Sequence, residues 1–124
     1  MPFASDTGNP IISNCTFRDN NIGVKRGIHN RYGSPTIMNC TFAGDPESPG
    51  GGIHITVGNP TIMDCTFVGI RGGGVRNQFG NPFIVNCTFT GNIAAYGAGI
   101  SSGSGELSVT NSIFSDNLAN QSGG

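Results

Sequence analysis

Cys15, Cys40, Cys65 and Cys87 carry the most evident chemistry in this chain of 124 residues, and they recur at steps of 25, 25 and 22. An even number of thiols invites a disulfide framework. Clustered thiols can also hold zinc, but that needs pairs at C-x-x-C or similar spacing, which the sequence lacks. The regular step favours a third use. A worn copy of the same block places Ser112 a further 25 residues on, so the column accepts a small hydroxyl. Small apolar thiols stacked on copies of themselves suit a core position. The column therefore reads as a ladder of free thiols, with no metal ligand set and no cofactor expected.

The second group is basic. His29, His54 and Arg76 fall in one column of the repeat, Arg31 lies two places beyond His29, and Lys25, Arg26 and Arg71 stand just before the same segment. Arg26, His29, Arg31, His54, Arg71 and Arg76 would form a basic stripe able to hold an acidic polysaccharide. The plainer alternative is that outward positions simply tolerate cations. A metal ion on His29 and His54 would lack a third ligand. Polysaccharide hydrolysis needs paired carboxylates flanking the scissile bond. Asp19, Asp45 and Asp116 follow Phe on separate copies, Asp64 occupies an Asn column, and Asp45 and Glu47 share a Pro-flanked "DPESP" loop without a partner. No enzyme is expected. The Asn-Cys-Thr triplets at Asn14, Asn39 and Asn86 match a glycosylation pattern, but an Asn held in a corner is a poor acceptor, so they read as structural.

What must position these residues is a repeat. "GSPTIMNCTF" (33–42) returns as "GNPTIMDCTF" (58–67), with "GNPIISNCTF" before it, "GNPFIVNCTF" after it and "GELSVTNSIF" last. A Gly followed by a β-branched residue marks the other arm: Gly27-Ile28, Gly52-Ile53, Gly74-Val75 and Gly99-Ile100. From that Gly to the next Cys or Ser112 the distance is always 13, whereas from Cys to Gly it is 12, 12, 9 and 12. The variable loop therefore follows the Phe. Columns of Ile12, Ile37, Ile62, Ile84 and Val109, and of Phe17, Phe42, Phe67, Phe89 and Phe114, read as inward. Asn14, Asn39, Asp64, Asn86 and Asn111 mark a corner, because Asn tolerates left-handed backbone. Each copy then holds three short strands, with no segment of helical period.

Charged residues make up 10% and the net charge is −1 with a pI near 6.0, which argues against a general nucleic-acid binder. No apolar run approaches the length of a membrane span. The start, "MPFASDTGNP", has no signal-peptide regions, so the chain reads as cytoplasmic or as a processed piece of something exported.

A period of 25 is too long for the hexapeptide left-handed solenoid. The "SPTIMNCTF" and "NPTIMDCTF" blocks, the "GGGI", "GGGV" and "GAGI" pieces, and the Phe-x-x-Asn of Phe17–Asn20, Phe89–Asn92 and Phe114–Asn117 resemble bacterial right-handed parallel β-helix repeat proteins of pectin-lyase-like fold. They are also similar to the repeats of chlamydial polymorphic outer-membrane proteins. The resemblance covers residues 8 to 124 and departs after Phe42, where Asp45 replaces Asn, and after Phe67, where the arm is three residues short. It implies an all-β right-handed parallel β-helix of about five coils of 22–25 residues, with three short strands per coil, forming a single domain over 1–124. For function it implies adhesins, surface proteins and polysaccharide lyases or hydrolases alike; of these the residues favour a non-catalytic adhesin-like or structural surface module outside the cell over an acidic-glycan binder or a lyase or hydrolase remnant.

The ends add one expectation. "MPFASDTG" aligns with "RGIHNRYG", so Phe3 falls in the column of Ile28, and Gly124 has the phase of Pro2. A second copy stacked head to tail would continue the columns. Phe3, Ile11, Ser112, Phe114 and Gly124 are the candidate residues for that self-association, and the expected partners are the chain itself and an acidic polysaccharide.

Overall fold

The structure, a computed structural model, describes residues 3–5, 8–18, 27–44 and 52–122. Its regular elements there are short strands. The first coil holds β1 (Phe3–Ser5), β2 (Ile11–Ser13) and β3 (Thr16–Phe17). The second holds β4 (Ile28–Asn30), β5 (Thr36–Met38) and β6 (Thr41–Ala43), and the third β7 (Ile53–Ile55), β8 (Thr61–Met63) and β9 (Thr66–Val68). In the fourth are β10 (Val75–Asn77), β11 (Phe83–Val85), β12 (Thr88–Thr90) and β13 (Ile93–Tyr96). The fifth has β14 (Ile100–Ser102), β15 (Ser108–Thr110), β16 (Ile113–Ser115) and β17 (Leu118–Ser122).

Each strand pairs with its own copy in the coil above and below, always in parallel. Sheet one runs β1-β4-β7-β10-β14, sheet two β2-β5-β8-β11-β15 and sheet three β3-β6-β9-β12-β16. Parallel neighbours need a crossover of a dozen or more residues; here the crossover is the rest of the coil. The register is the alignment of the repeats. Ile12, Ile37, Ile62, Ile84 and Val109 pair in succession. So do Phe17, Phe42, Phe67, Phe89 and Phe114. The sequence expectation of a three-stranded solenoid five strands deep holds.

Alternation along each three-residue strand sends the middle residue of sheets two and three inward. The core is accordingly a bundle of identical columns: Ile37, Ile62 and Ile84; Cys40, Cys65 and Cys87; Phe42, Phe67 and Phe89; and Ile28, Ile53 and Val75, all buried. The Phe rings stack face to face at 4.9, 4.7, 4.6 and 4.7 Å with interplanar angles of 6° or less. Stacking this parallel is imposed by the strand repeat, about 4.8 Å, which falls at the short end of the roughly 4.5–7 Å centroid separation of offset-stacked rings.

Two backbone features allow the coils to approach this closely. Asn14, Asn39, Asp64, Asn86 and Asn111 all have φ between 50° and 56°, turning the chain from sheet two into sheet three. Asn is among the few residues that adopt this region without large cost. Asn39 also donates to the Asn14 side chain across the coils. At the other corner, a Cβ on Gly52 would stand 2.1 Å from the Gly74 carbonyl oxygen. That is why a Gly opens the Gly-Ile segment.

In coils three to five the arm after Phe takes part in strand pairing. In coils four and five it contains β13 and β17, which pair in parallel, and coil three joins them through the bridge of Arg71 to Ile93. Asn92 holds this arm: it donates to the Phe67 carbonyl at 3.2 Å and accepts from the Ile70 N–H at 2.9 Å. The equivalent arms of coils one and two, with Asp19, Asn20, Arg26, Asp45 and Glu47, lie outside the described residues.

Candidate functional site

Sheet one carries the basic column on its outer surface. In β4, β7 and β10 the first and third residues are buried, so the middle residue faces out. His29 registers with His54, and His54 with Arg76; Ser101 completes the row. The two imidazole rings stack at 5.0 Å with an interplanar angle of 25°. His29 Nε2 lies 3.1 Å from Thr56 Oγ1. Arg31 projects beside this column with its guanidinium carbon 5.9 Å from the centre of the Tyr32 ring. Tyr32 and Phe79 occupy equivalent bends two coils apart and are exposed. The structure thus brings His29, His54, Arg76 and Arg31 onto one face with two aromatic rings at its edge. Arg71 belongs elsewhere, on the arm that bridges to Ile93, and Arg26 is outside the described residues.

The thiols form the second column. Each Sγ donates to the carbonyl two residues back: Cys15 to Ser13 at 3.2 Å, Cys40 to Met38 at 3.3 Å, Cys65 to Met63 at 3.2 Å and Cys87 to Val85 at 3.3 Å. Ser112 repeats the bond, its Oγ donating to the Thr110 carbonyl at 3.1 Å. All four cysteines are free, with Cys15 exposed and the others buried, as the ladder reading expects. Burial pushes the Cys40 thiol up, a backbone hydrogen bond at Cys15 opposing it. Cys65 is pushed up as well, first by its hydrogen bond with Cys87 and then by burial. These are protonated, poorly nucleophilic sulfurs at neutral pH.

The last coil forms the third feature. Val109, Ile113, Phe114 and Leu118 are exposed, although Val109 and Phe114 sit in the inward columns. Their counterparts in the first coil, Ile12 and Phe17, are only 8% and 6% exposed, so the two ends differ. Phe3 pairs with Ile28, as the alignment of the termini requires. Ile11 is on the outer surface of β2, 71% exposed, and registers with Thr36 rather than with an inward column. Ser112 lies under the open end and accepts from the Cys87 N–H at 3.2 Å. Gly124 is outside the described residues.

Sequence reasoning passes over two inward polar residues of sheet one. Asn30 and Asn77 are buried and clamp the bend that follows: Asn77 donates to the Gly80 carbonyl at 2.9 Å and accepts from the Gly80 N–H at 3.0 Å. Asn30 likewise donates to the carbonyls of Gly33 and Val57. The signal is their phase, two places after an inward Ile28 or Val75. Among the described acids, Asp64 and Asp116 sit at separate left-handed positions, and Glu106 is exposed in the bend before β15. No three His, Cys, Asp or Glu gather among the described residues, and no helix there is long and apolar enough to cross a membrane.

Comparison with curated proteins finds no match, and none is found among solved structures. The family described as a right handed beta helix region matches residues 3–123. With coils stacked through three parallel sheets and a match over nearly its whole length, the chain belongs to the right-handed β-helix family.

Proposed function

We propose that the chain is a non-catalytic structural β-solenoid module of a surface or extracellular protein, and that it associates with itself head to tail as an adhesive or scaffolding element. One observation supports this reading: Val109 and Phe114 stand in the inward columns yet are exposed on the fifth coil. Unpaired edges of parallel strands are templates for a further strand. Phe3, in register with Ile28, supplies the next member of a column to an incoming copy. Because Ile12 and Phe17 are already buried, the joint runs through strand edges at the first coil and through apolar side chains at the last. Light scattering and electron microscopy over a concentration series should show rods that lengthen, and Phe3→Lys should keep them short. A wild type that stays monomeric at high concentration ends the proposal.

A second reading has its own support in the outward face of sheet one. His29, His54 and Arg76 in register, with Arg31 beside them and Tyr32 and Phe79 exposed at the edge, combine cations for carboxylates with rings for sugar faces. The ligand would be an acidic polysaccharide lying along the solenoid. Titration of an acidic oligosaccharide should show binding that the Arg31→Ala/Arg76→Ala double variant loses. No binding at millimolar ligand removes this reading.

A further inference from the structure

We propose that Cys15 and Cys40 form a two-coordinate site for a soft monovalent cation of the copper(I) class, the ion lying between the two sulfurs along the solenoid axis. The argument begins with a length. Thiolate–metal bonds are about 2.3 Å, so two sulfurs on opposite sides of one ion stand about 4.6 Å apart. The coils carrying Cys15 and Cys40 are spaced by 4.9 Å at the Phe17 and Phe42 rings, two residues further on and past the bend that holds the cysteines. Ser13 pairs with Met38 and Thr16 with Thr41 on either side, so the two cysteines are held in register. Their side chains share one conformation, since each donates to the carbonyl two residues back.

The same spacing disfavours the rival use of the pair. A disulfide needs sulfurs about 2.05 Å apart and Cβ atoms about 3.8 Å apart, which would pinch the coils together by an ångström where strand pairing fixes them. Ions that require three or four ligands find no such group among the described residues. Soft thiolates select copper(I) among the biological ions that accept two ligands. Of the ladder's pairs, this one has a sulfur at the surface, because Cys15 is exposed while Cys40, Cys65 and Cys87 are buried. The ion therefore need not cross the dry core.

Binding converts two thiols and one monovalent cation into a dithiolate complex and releases two protons to water. No electron moves. The complex keeps one negative charge, which solvent at the exposed Cys15 helps to hold. Affinity therefore rises with pH, since protons compete with the ion for both sulfurs.

The test uses the full chain, reduced and free of oxygen, titrated with silver(I) as a redox-inert probe and then with copper(I). One ion should bind per chain with two protons released, and X-ray absorption should show a shell of two sulfurs. Cys15→Ser should weaken that site by more than the about 100-fold that losing a mere outer-shell partner costs. Cys87→Ser should leave it unchanged. Ser112 already fills the column in the fifth coil, so both variants keep the fold, with circular dichroism as the check. Unchanged binding by Cys15→Ser, a shell of three or more sulfurs, one ion per two chains, or loss of the strand spectrum on binding would each overturn the site.

Discussion

Cys40 and Thr41 are neighbours in the chain and opposites in environment. The Cys40 thiol stands in the core between Cys15 and Cys65, while the Thr41 side chain is exposed on the outer surface of β6. A carboxylate at Cys40 would replace a neutral thiol, whose proton goes to Met38, by a charge with no cation in reach among its column neighbours. Burying such a charge is costly enough to protonate it or to unfold the site. Cys40→Asp should therefore cost more than about 4 kcal/mol, at the diagnostic end of single substitutions. Thr41→Asp meets only water and a modest strand penalty, under about 1 kcal/mol. Urea unfolding of both variants measures the contrast, and equal losses would overturn the assignment of inside and outside.

At the scale of elements, legibility follows the number of copies. The Ile, Cys, Phe and Asn columns can be read from sequence because each recurs in every coil, and a parallel stack permits only one register when all its columns agree. The constant 13-residue arm between Gly and Cys reflects the same fact: it contains two strands and the corner bend, all paired above and below. The arm after Phe is less legible. Among the described residues it is seen held in coils four and five, where Asn92 and Asn117 hold β13 and β17; coil three is three residues short, and coil two has Asp45 in place of the Asn. Asn30 and Asn77 escape notice for a related reason. Ile55 interrupts their column, so no repeat announces it, and only the strand phase reveals that they face inward. The basic face is half legible. His29, His54 and Arg76 share a column by alignment, whereas Arg71 is close to them in sequence yet belongs to the arm. Sequence distance from a strand does not reveal which side of a bend a residue occupies.

For the whole molecule the decisive property is that each coil touches only its neighbours. Stability in such a stack is close to a sum of coil terms and nearest-neighbour terms, so local opening should vary along the axis rather than engage the molecule at once. Interior coils have a neighbour on both sides. The Thr66 N–H donates to the Cys40 carbonyl at 3.0 Å and the Thr88 N–H to Cys65 at 2.9 Å, each beneath further strands. The fifth coil has its bonds on one side. The N–H groups of Ser108, Ile113 and Leu118 donate to Pro82, Cys87 and Asn92, but Val109, Phe114 and Leu118 above them are exposed. Less apolar area is then lost when this coil opens, at about 25 cal/mol per Å². Hydrogen exchange at low protein concentration should show Thr66 and Thr88 protected most and Ile113 and Leu118 least, by roughly 100-fold or more, which is a difference of about 2.7 kcal/mol in opening. The same amides serve as reporters of association: if copies stack on the fifth coil, Ile113 and Leu118 should gain protection as concentration rises, while Thr66 and Thr88 stay constant. Equal protection across the coils would mean that the solenoid opens as one unit, and the nearest-neighbour description would fail.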